Sequence, residues 1–376
     1  MRAPPLFPPY RVARPPVAKR WLVAAFAAAL AAGICAALVH QSGASGGTLV
    51  AVMLAGCAVI GTLWLFRLGY YRGAVLNART WHQGVEKAQQ AWWAGHRQPF
   101  GLQTIILIGP AGSRESEWLR VLRRESLPPE PRKEGAIDAL RVARTFSPAL
   151  AEREKQLAKM LALQWVQEGE IPDTCLPARC YWAGSRAAWG DFLAQMKTSL
   201  PQVTLPAEPK AWKGEETLAE LAGFFSEAEP GSLILVAGCL SVPAVAGMPR
   251  PVGESAALWL VSAEAPVLLT RGETFEAASS ESLLQVCQRA QEQSESDKTP
   301  EQCILFTQPE RPELDSCGWS LNQYLQDTYW GDLGEMEALV VISLAALFAR
   351  TRQEPCGWIA TDPQHSLALG IVKPHG

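Results

Sequence analysis

Thiol and imidazole side chains are the first candidates for chemistry, because both act as nucleophiles, bases and metal ligands. The chain of 376 residues has nine cysteines and five histidines. Cys175 and Cys180 lie five residues apart in CLPARC, but no second pair or neighbouring histidine completes a zinc site. The odd number of cysteines and their scattered positions also argue against a disulfide framework. We therefore expect buried thiols in a reducing compartment and no metal or other cofactor.

A second candidate is the segment GPAGSRES, which follows the apolar run LQTIILI and precedes a helical pattern. A phosphate loop would need a glycine at position 114 and a lysine at 115, and the chain has Arg114 and Glu115 there. A carboxylate at that point repels the phosphates that the loop must bind. Only Ser116 fits, so the segment predicts an ordinary strand-to-helix turn without a nucleotide.

A third candidate is an acidic cluster beside a tryptophan, made by Trp330, Asp332, Glu335 and Glu337. One interpretation is a partner-binding patch, because exposed tryptophans are frequent anchors of protein interfaces. The other is a solvated loop at a helix start, where the helix dipole favours carboxylates. The sequence leaves both open.

Charge divides the chain into two parts. Residues 1–80 contain eight basic residues and no Asp or Glu. Of the 34 basic and 37 acidic residues in the chain, 26 basic and all 37 acidic ones lie beyond residue 80, a net charge near −11. An acidic domain is repelled by phosphate backbones, which argues against nucleic-acid binding.

Two apolar runs near the N-terminus predict a transmembrane hairpin. Residues 21–40 and 48–66 are each long enough to cross a hydrocarbon core about 30 Å thick. Residues 1–20 form a basic, proline-rich tail, and residues 75–98 have the apolar spacing of an amphipathic stalk helix. A second span directly after the first argues against a signal peptide.

The basic residues also predict the orientation of the hairpin. Five lie before the first span and three after the second, whereas the connecting turn has none. Since Lys and Arg are retained on the cytoplasmic side, we expect a two-pass protein of a bacterial inner membrane. Its N-terminus and its soluble domain would both lie in the cytoplasm, with the lipid bilayer as one partner.

Beyond the hairpin, apolar strand patterns alternate with helical ones, which predicts an α/β sheet covered on both faces. The predicted strands are 102–109, a short one at 181–182, 232–240, 257–263, 266–270, 303–307, 357–361 and 367–372. The predicted helices are 147–168, 185–198, 215–228, 281–294, 319–328 and 335–350, besides a helix directly after the first strand.

The order of elements in residues 215–376 resembles the β-ketoacyl synthase and thiolase superfamily. GSLILVAGCLS followed by PVGESAALWLVS is similar to the strands that close the first half of that fold. WGDLGEMEALVVISLAALFA resembles the long buried helix of the second half, and WIATDPQHSLALGIV resembles the closing hairpin. The resemblance implies a degenerate, thiolase-like layered α/β domain over residues 102–376.

The same resemblance implies a cysteine at the head of the helix before SLILVAG, where the helix dipole lowers the thiol pKa. Lys213 and Gly214 stand at that position, and no cysteine is near. His365 and His375 lie in no matching motif, and a histidine on a hairpin turn is more often solvated than catalytic. The expectation is a domain without its active site, hence not an enzyme.

A fainter resemblance is to the type VI secretion lipase adapter family, which combines apolar anchoring with a thiolase-like part and a final hairpin followed by proline, as in IVKP. We therefore expect a membrane-anchored, non-catalytic adaptor that binds a protein partner such as a secreted lipase. One alternative is an acyl-chain binder or acyl-transfer protein, in which Cys239 or Cys287 would be the nucleophile. Another is a structural subunit of a membrane complex.

Overall fold

The structure is a computed structural model that describes residues 4–39, 46–169, 176–278, 281–296, 299–307, 314, 317–321, 323–362 and 364–375. It divides into two compact units, Met1–Trp92 and Trp93–Gly376.

The first unit contains two helices, α1 (Ala18–Val39) and α2 (Gly46–His96). Both are long and apolar enough to cross a membrane, and almost none of their apolar residues is buried within the protein. The helices approach closely where Gly56 of α2 packs against the backbone of Ala28. Such contacts between small residues are typical of helices that pair within lipid. The predicted end of the first span at His40 and the connecting turn lie outside the described residues, apart from the first residues of α2.

The stalk predicted over residues 75–98 is helical, but it is not a separate element. Helix α2 runs without interruption through the second apolar run and ends at His96. The segment contains glycines but no proline. A glycine keeps its backbone N–H and costs a helix only about 1 kcal/mol, so nothing in the segment ends the helix.

The second unit is built on a mixed sheet, and its first half contributes the central strand β1 and four others. They are β1 (Phe100–Ile108), β4 (Arg179–Ala183), β5 (Lys210–Ala211), β6 (Ile234–Ser241) and β7 (Glu254–Ser262), with a separate hairpin of β2 (Arg132–Glu134) and β3 (Ile137–Ala139). The order in the sheet is β5-β4-β6-β7-β1, and β7 runs antiparallel to both of its neighbours.

The second half of the sheet repeats this arrangement. Its strands are β8 (Val267–Leu269), β9 (Glu273–Phe275), β10 (Gln302–Leu305), β11 (Tyr324–Leu325), β12 (Cys356–Ala360) and β13 (Leu367–Pro374). The order β11-β10-β12-β13-β8 matches that of the first half strand for strand, and β13 is again antiparallel to its neighbours. The halves join where β1 pairs with β8. The unit is therefore an internal duplication of one α/β motif.

The helices of this unit lie in three layers around the two half-sheets. They are α3 (Glu115–Leu122), α4 (Leu150–Glu168), α5 (Arg186–Ser199), α6 (Glu215–Phe225), α7 (Leu283–Gln293), α8 (Asp327–Trp330) and α9 (Glu337–Arg352). Helices α4 and α5 cover the outer face of the first half, and α7 covers that of the second. Helices α3, α6 and α9 share the middle core with both halves.

Helix α9 shows why the middle layer forms. All its residues from Glu337 to Ala349 are buried. A helix that is apolar on every side must be surrounded by protein, and VVISLAALFA leaves no face for water. The long buried helix predicted from this segment is confirmed.

Two features of the sheet differ from the sequence prediction. The predicted helix 319–328 is absent from the described residues of that segment, which contain β11 and the start of α8 instead. Trp319 and Leu321 are both buried, so the apolar residues here alternate with the period of an extended chain rather than that of a helix. The short strands β5 and β9 were not predicted, because two or three residues carry no readable alternation.

Candidate functional site

The turn between β5 and α6, residues 212–214, is where the first half of the domain presents a helix N-terminus. Gly214 is the N-cap of α6 and has φ 60° and ψ −129°. A side chain is strained at such a positive φ, so glycine suits the position. The Thr217 hydroxyl accepts a hydrogen bond from the Lys213 backbone N–H at 2.9 Å and closes the first turn of α6.

The hairpin between β12 and β13 places a carboxylate at the same helix end. The Glu215 backbone N–H donates to Asp362 Oδ2 at 3.5 Å. The other oxygen of Asp362 lies 2.8 Å from His365 Nδ1 and accepts a hydrogen bond from the His365 backbone N–H at 3.0 Å. A carboxylate is stabilised at a helix N-terminus by the helix dipole. The second half of the domain thus supplies an Asp–His pair to the turn at Gly214.

An ion pair lies beside this Asp–His pair. Glu215 is buried, and its Oε1 accepts hydrogen bonds from Arg271 Nε at 3.0 Å and Nη2 at 2.6 Å. Arg271 lies between β8 and β9, so this contact again joins the two halves. The charge of the buried carboxylate is thereby compensated, as burial of a charge requires.

A further carboxyl group reaches the β12–β13 hairpin from the middle layer. Glu337, the first residue of α9, is buried and accepts a hydrogen bond from the Thr361 backbone N–H at 2.8 Å. Burial raises the pKa of this carboxyl above its ordinary value, against the hydrogen bond from Thr361, which lowers it. Glu215, Arg271, Asp362 and His365 therefore lie together at the α6 N-terminus, and Glu337 binds the adjacent hairpin.

The Asp362–His365 pair makes proton transfer available at this site. A carboxylate bonded to Nδ1 orients an imidazole and stabilises its charged form, as in hydrolase triads. A triad also needs a nucleophile beside the imidazole. Gly214 has no side chain, and its neighbours Lys213 and Glu215 have no hydroxyl or thiol.

The structure places the four predicted partner-binding residues in different environments. Trp330 is completely buried and stacks on Trp118 with ring centroids 4.5 Å apart. Its ring also fills the space above Gly109, where a Cβ would lie 2.3 Å from it. The interpretation of Trp330 as a surface anchor is therefore wrong, because the aromatic ring is part of the middle core.

The acidic members of that cluster also separate. Glu337 is buried, as described above, and so faces the protein interior. Asp332 is half-buried, and its Oδ1 accepts a hydrogen bond from the Gly334 backbone N–H at 3.0 Å. Glu335 is exposed. The cluster is thus not one surface patch, and only Asp332 and Glu335 remain candidates for contact with a partner.

The two cysteines considered as nucleophiles are both buried. Cys239 is fully enclosed, and its thiol lies 3.4 Å from the Glu154 carbonyl. Burial raises the pKa of the Cys239 and Cys287 thiols well above the ordinary value, which disfavours the reactive thiolate. Neither lies in the turn at Gly214. Burial therefore disfavours either cysteine as the nucleophile of the acyl-transfer alternative.

The remaining histidine and zinc predictions have mixed outcomes. His365 is bonded to Asp362 with its side chain only 10% exposed, so its interpretation as a solvated residue is wrong. His375 Nδ1 lies 3.0 Å from the Ala265 carbonyl, away from the turn. Cys175 lies outside the described residues, and the described part of the chain contains no cluster suited to a metal ion.

Three residues of the site were not singled out from the sequence. Asp362, Glu215 and Arg271 come from three separate segments, and only the three-dimensional fold brings them together. For Asp362 one local signal existed, because an Asp three residues before a histidine often forms a turn whose carboxylate accepts backbone hydrogen bonds. Glu215 and Arg271 carry no such signal, since their pairing spans 56 residues.

No protein-family model matches this chain, and no curated protein does. Among solved structures, the ishigamide ketosynthase/chain length factor is similar with a TM-score of 0.50 and 14% sequence identity, over 74% of this chain and 100% of that chain. The ketosynthase from module 1 of the bacillaene synthase from Bacillus amyloliquefaciens is similar with a TM-score of 0.52 and 11% identity, over 75% of this chain and 74% of that one.

The second unit therefore has a thiolase-like fold, and the fold class predicted from the sequence is confirmed. Both structures are ketosynthases, and identities of 14% and 11% support a common fold rather than a common activity. The resemblance read from residues 215–376 extends to the first half as well, because the similarity covers about three quarters of the chain.

Proposed function

We propose that this chain is a membrane-anchored, non-catalytic adaptor whose thiolase-like domain binds a protein partner. The observation that carries the proposal is Gly214. It stands at the strand-to-helix turn where the resemblance implies a nucleophilic cysteine, and it offers the helix N-terminus no side chain. The proposal places the domain at an inner membrane through α1 and α2, with the N-terminus and the domain in the cytoplasm.

Three observations support an adaptor over an enzyme. The residues around Gly214 are engaged with each other, Glu215 with Arg271 and Asp362 with His365. The thiols of Cys239 and Cys287 are buried. A binding domain needs a stable fold and an exposed surface but no reactive group, and the domain keeps the fold.

Acylation by a thioester tests the absence of catalysis. The purified full chain would be incubated with a long-chain acyl thioester and its intact mass measured. We expect no acyl adduct on the native chain. The Lys213→Cys variant is the positive control, because Lys213 is exposed and has no positive φ, and a thiol beside the N-terminus of α6 has a lowered pKa and reacts more readily. An adduct on the native chain that maps to one residue would overturn the proposal.

Capture from native membranes tests the partner. Full-length chain, cross-linked in cells and purified in mild detergent, should retain one other protein in near-equal amount. A lipase or a component of a secretion spike would fit the type VI secretion adapter resemblance. Recovery of integral membrane proteins alone would instead indicate a structural subunit of a membrane complex. Variants of the half-buried Asp332 and the exposed Glu335, Asp332→Asn and Glu335→Gln, test whether these two residues contribute to binding.

A second candidate function is acyl-chain binding or transfer, and the Asp362–His365 pair favours it. A paired imidazole beside a helix N-terminus is able to accept a proton from a group bound there. If this function is correct, the acyl thioester should be hydrolysed or transferred at a rate that falls at least tenfold in a His365→Gln variant. Equal rates for the native chain and this variant would exclude a role for the imidazole.

A further inference from the structure

The first unit contains a groove between α1 and α2. It has a volume of about 230 Å³ and lies at the end of the hairpin where α1 begins and the apolar run of α2 ends. Its lining is apolar and includes Trp21, Leu22 and Ala25 of α1 and Ile60, Gly61 and Trp64 of α2. A groove of this kind is suited to an alkyl chain rather than to water.

Two details within the groove indicate that it is open to an occupant. A Cβ built on Gly61 would meet nothing within 4 Å, so the groove wall has free space at that point. The indole N–H of Trp64 is buried and has no hydrogen-bond partner among the described residues. A buried polar group without a partner is costly, and an ester or phosphate oxygen in the groove would satisfy it.

Basic residues surround the end of the groove that faces away from the middle of the apolar runs. Arg67, three residues after Trp64 and therefore on the same side of α2, donates through Nη2 to the Arg14 carbonyl at 3.0 Å. This contact holds the N-terminal tail at the level of Arg67. Lys19 and Arg20 begin α1 and are exposed. Residues 1–80 contain no carboxylate to neutralise these charges.

We propose that this groove binds one anionic phospholipid, with an acyl chain between α1 and α2 and the phosphate held by Arg67 and the basic residues of the tail and of α1. The charge complementarity selects the occupant, because a zwitterionic lipid would carry a second cation into a region that has only cations. The guanidinium of Arg67 has five N–H donors, and one contact to Arg14 leaves others for a phosphate. The inference rests on the membrane placement in the proposed function.

Native mass spectrometry of the full chain in detergent tests this proposal, with phosphatidylglycerol and phosphatidylcholine of identical acyl chains as probes. We expect one phosphatidylglycerol to be retained at least about tenfold more strongly than phosphatidylcholine. A charge-assisted hydrogen bond to the phosphate contributes enough binding free energy for a difference of this size. Gly61→Leu fills the groove and Arg67→Gln removes the phosphate ligand, and each should reduce that retention about tenfold.

Two matched controls separate the groove from general charge and helix effects. Gly69→Leu adds the same side chain where a Cβ also meets nothing, but outside the groove. Arg79→Gln removes a charge twelve residues further along α2, about 18 Å away by helical rise. Both should retain the lipid as the native chain does. Equal retention of the two lipids, or equal loss in the controls, would overturn the proposal.

The membrane placement is measured separately, by resistance of the chain to carbonate extraction. A chain that is extracted is not integral, and both the anchor and the lipid site are then wrong. A chain that resists extraction but shows no lipid preference disproves the lipid site alone. Extraction resistance of each variant also shows whether its hairpin still inserts.

Discussion

Among the residues that the structure describes, Glu254 is the most enclosed charged one, and its environment shows how the fold accommodates a charge. The carboxylate is fully buried and accepts hydrogen bonds from Arg153 Nε at 2.8 Å and Nη2 at 2.9 Å. Its Oε2 also accepts from the Thr145 hydroxyl at 2.9 Å and from the Val142 backbone N–H at 2.8 Å. Both carboxylate oxygens accept hydrogen bonds, so the network connects α4 and the 142–145 segment to β7.

Removal of the cation from this network should be strongly destabilising. Arg153→Met leaves the Glu254 carboxylate buried without its counter-charge, which costs about 3–5 kcal/mol in comparable sites. Chemical denaturation of the full chain in detergent measures the free energy of unfolding. Lys155→Met on the same helix is the control, because its ion pair with Glu152 is largely solvated and should contribute little. Equal effects of the two variants would contradict this account of the buried pair.

Glu273 gives the domain a pH dependence. Burial raises the pKa of this carboxyl from 4.5 to about 7, against the neighbouring guanidinium of Arg289, 2.8 Å away, which lowers it, as does Arg271. Glu215 also faces it and raises the pKa. Because the folded pKa exceeds the unfolded one, the native state binds more protons between pH 4.5 and 7. Stability from this group is therefore fully present below about pH 4.5 and is lost as pH rises to about 7.

A Glu273→Gln variant should remove this dependence. Relative to the variant, the native chain should lose up to about 3 kcal/mol of unfolding free energy between pH 4.5 and pH 8. Thermal unfolding at a series of pH values measures the difference. Glu281→Gln is the control, because Glu281 pairs with the same arginine but is more exposed. A constant difference between native chain and Glu273→Gln across this range would show that Glu273 is charged throughout.

Trp330 was predicted as a possible partner contact and is instead a core residue, and the two roles have different consequences. Trp330→Ala should destabilise the domain by about 3–5 kcal/mol, the range for large aromatic residues in a core. Glu335→Ala, five residues away and exposed, should leave stability unchanged. Thermal unfolding of both variants measures this. If the Trp330→Ala variant unfolds at the same temperature as the native chain, Trp330 does not contribute to the core.

At the scale of elements, the sequence predicts the helices and strands that are buried along most of their length. Strand β7 is buried at all nine positions and α9 along most of its length, and both were found from apolar runs alone. The edge strands β5 and β11 have two residues each, and their existence depends on the neighbours that they pair with. The site followed the same rule. The resemblance placed Lys213 and Gly214 at the head of the helix before β6, whereas the position of Asp362 beside that helix depends on a contact that spans 147 residues.

Helix α2 provides the test at this scale. If the second apolar run and the following polar residues form one helix, spin labels at residues 66 and 80 should lie about 21 Å apart with a narrow distribution. Gly73→Pro should broaden that distribution, because proline removes a hydrogen bond and clashes with the preceding turn. Gly73→Ala is the control and should keep it narrow. A broad distribution in the native chain would indicate a hinge between a membrane span and a separate stalk.

At the scale of the whole chain, the duplicated sheet and its middle layer determine the fold without a side chain at residue 214. Each half is completed by its own five strands, and the halves share a middle layer in which α9 is buried. The position at Gly214 lies in a turn at the edge of that layer and contributes no side chain to it. The positive φ of Gly214 favours glycine at this position, and the packing that determines the fold requires no side chain there.

The orientation of the chain decides which partners this domain is able to meet, and the uneven distribution of basic residues predicts it. With eight basic residues flanking the hairpin and none in the connecting turn, both ends should lie in the cytoplasm. A green fluorescent protein fused after residue 376 should fluoresce, and alkaline phosphatase fused at the same point should be inactive. The same reporters inserted between residues 41 and 47 should give the opposite pair of results. An active phosphatase after residue 376 would place the acidic domain in the periplasm, and its partner would then have to be a protein that has already crossed the membrane.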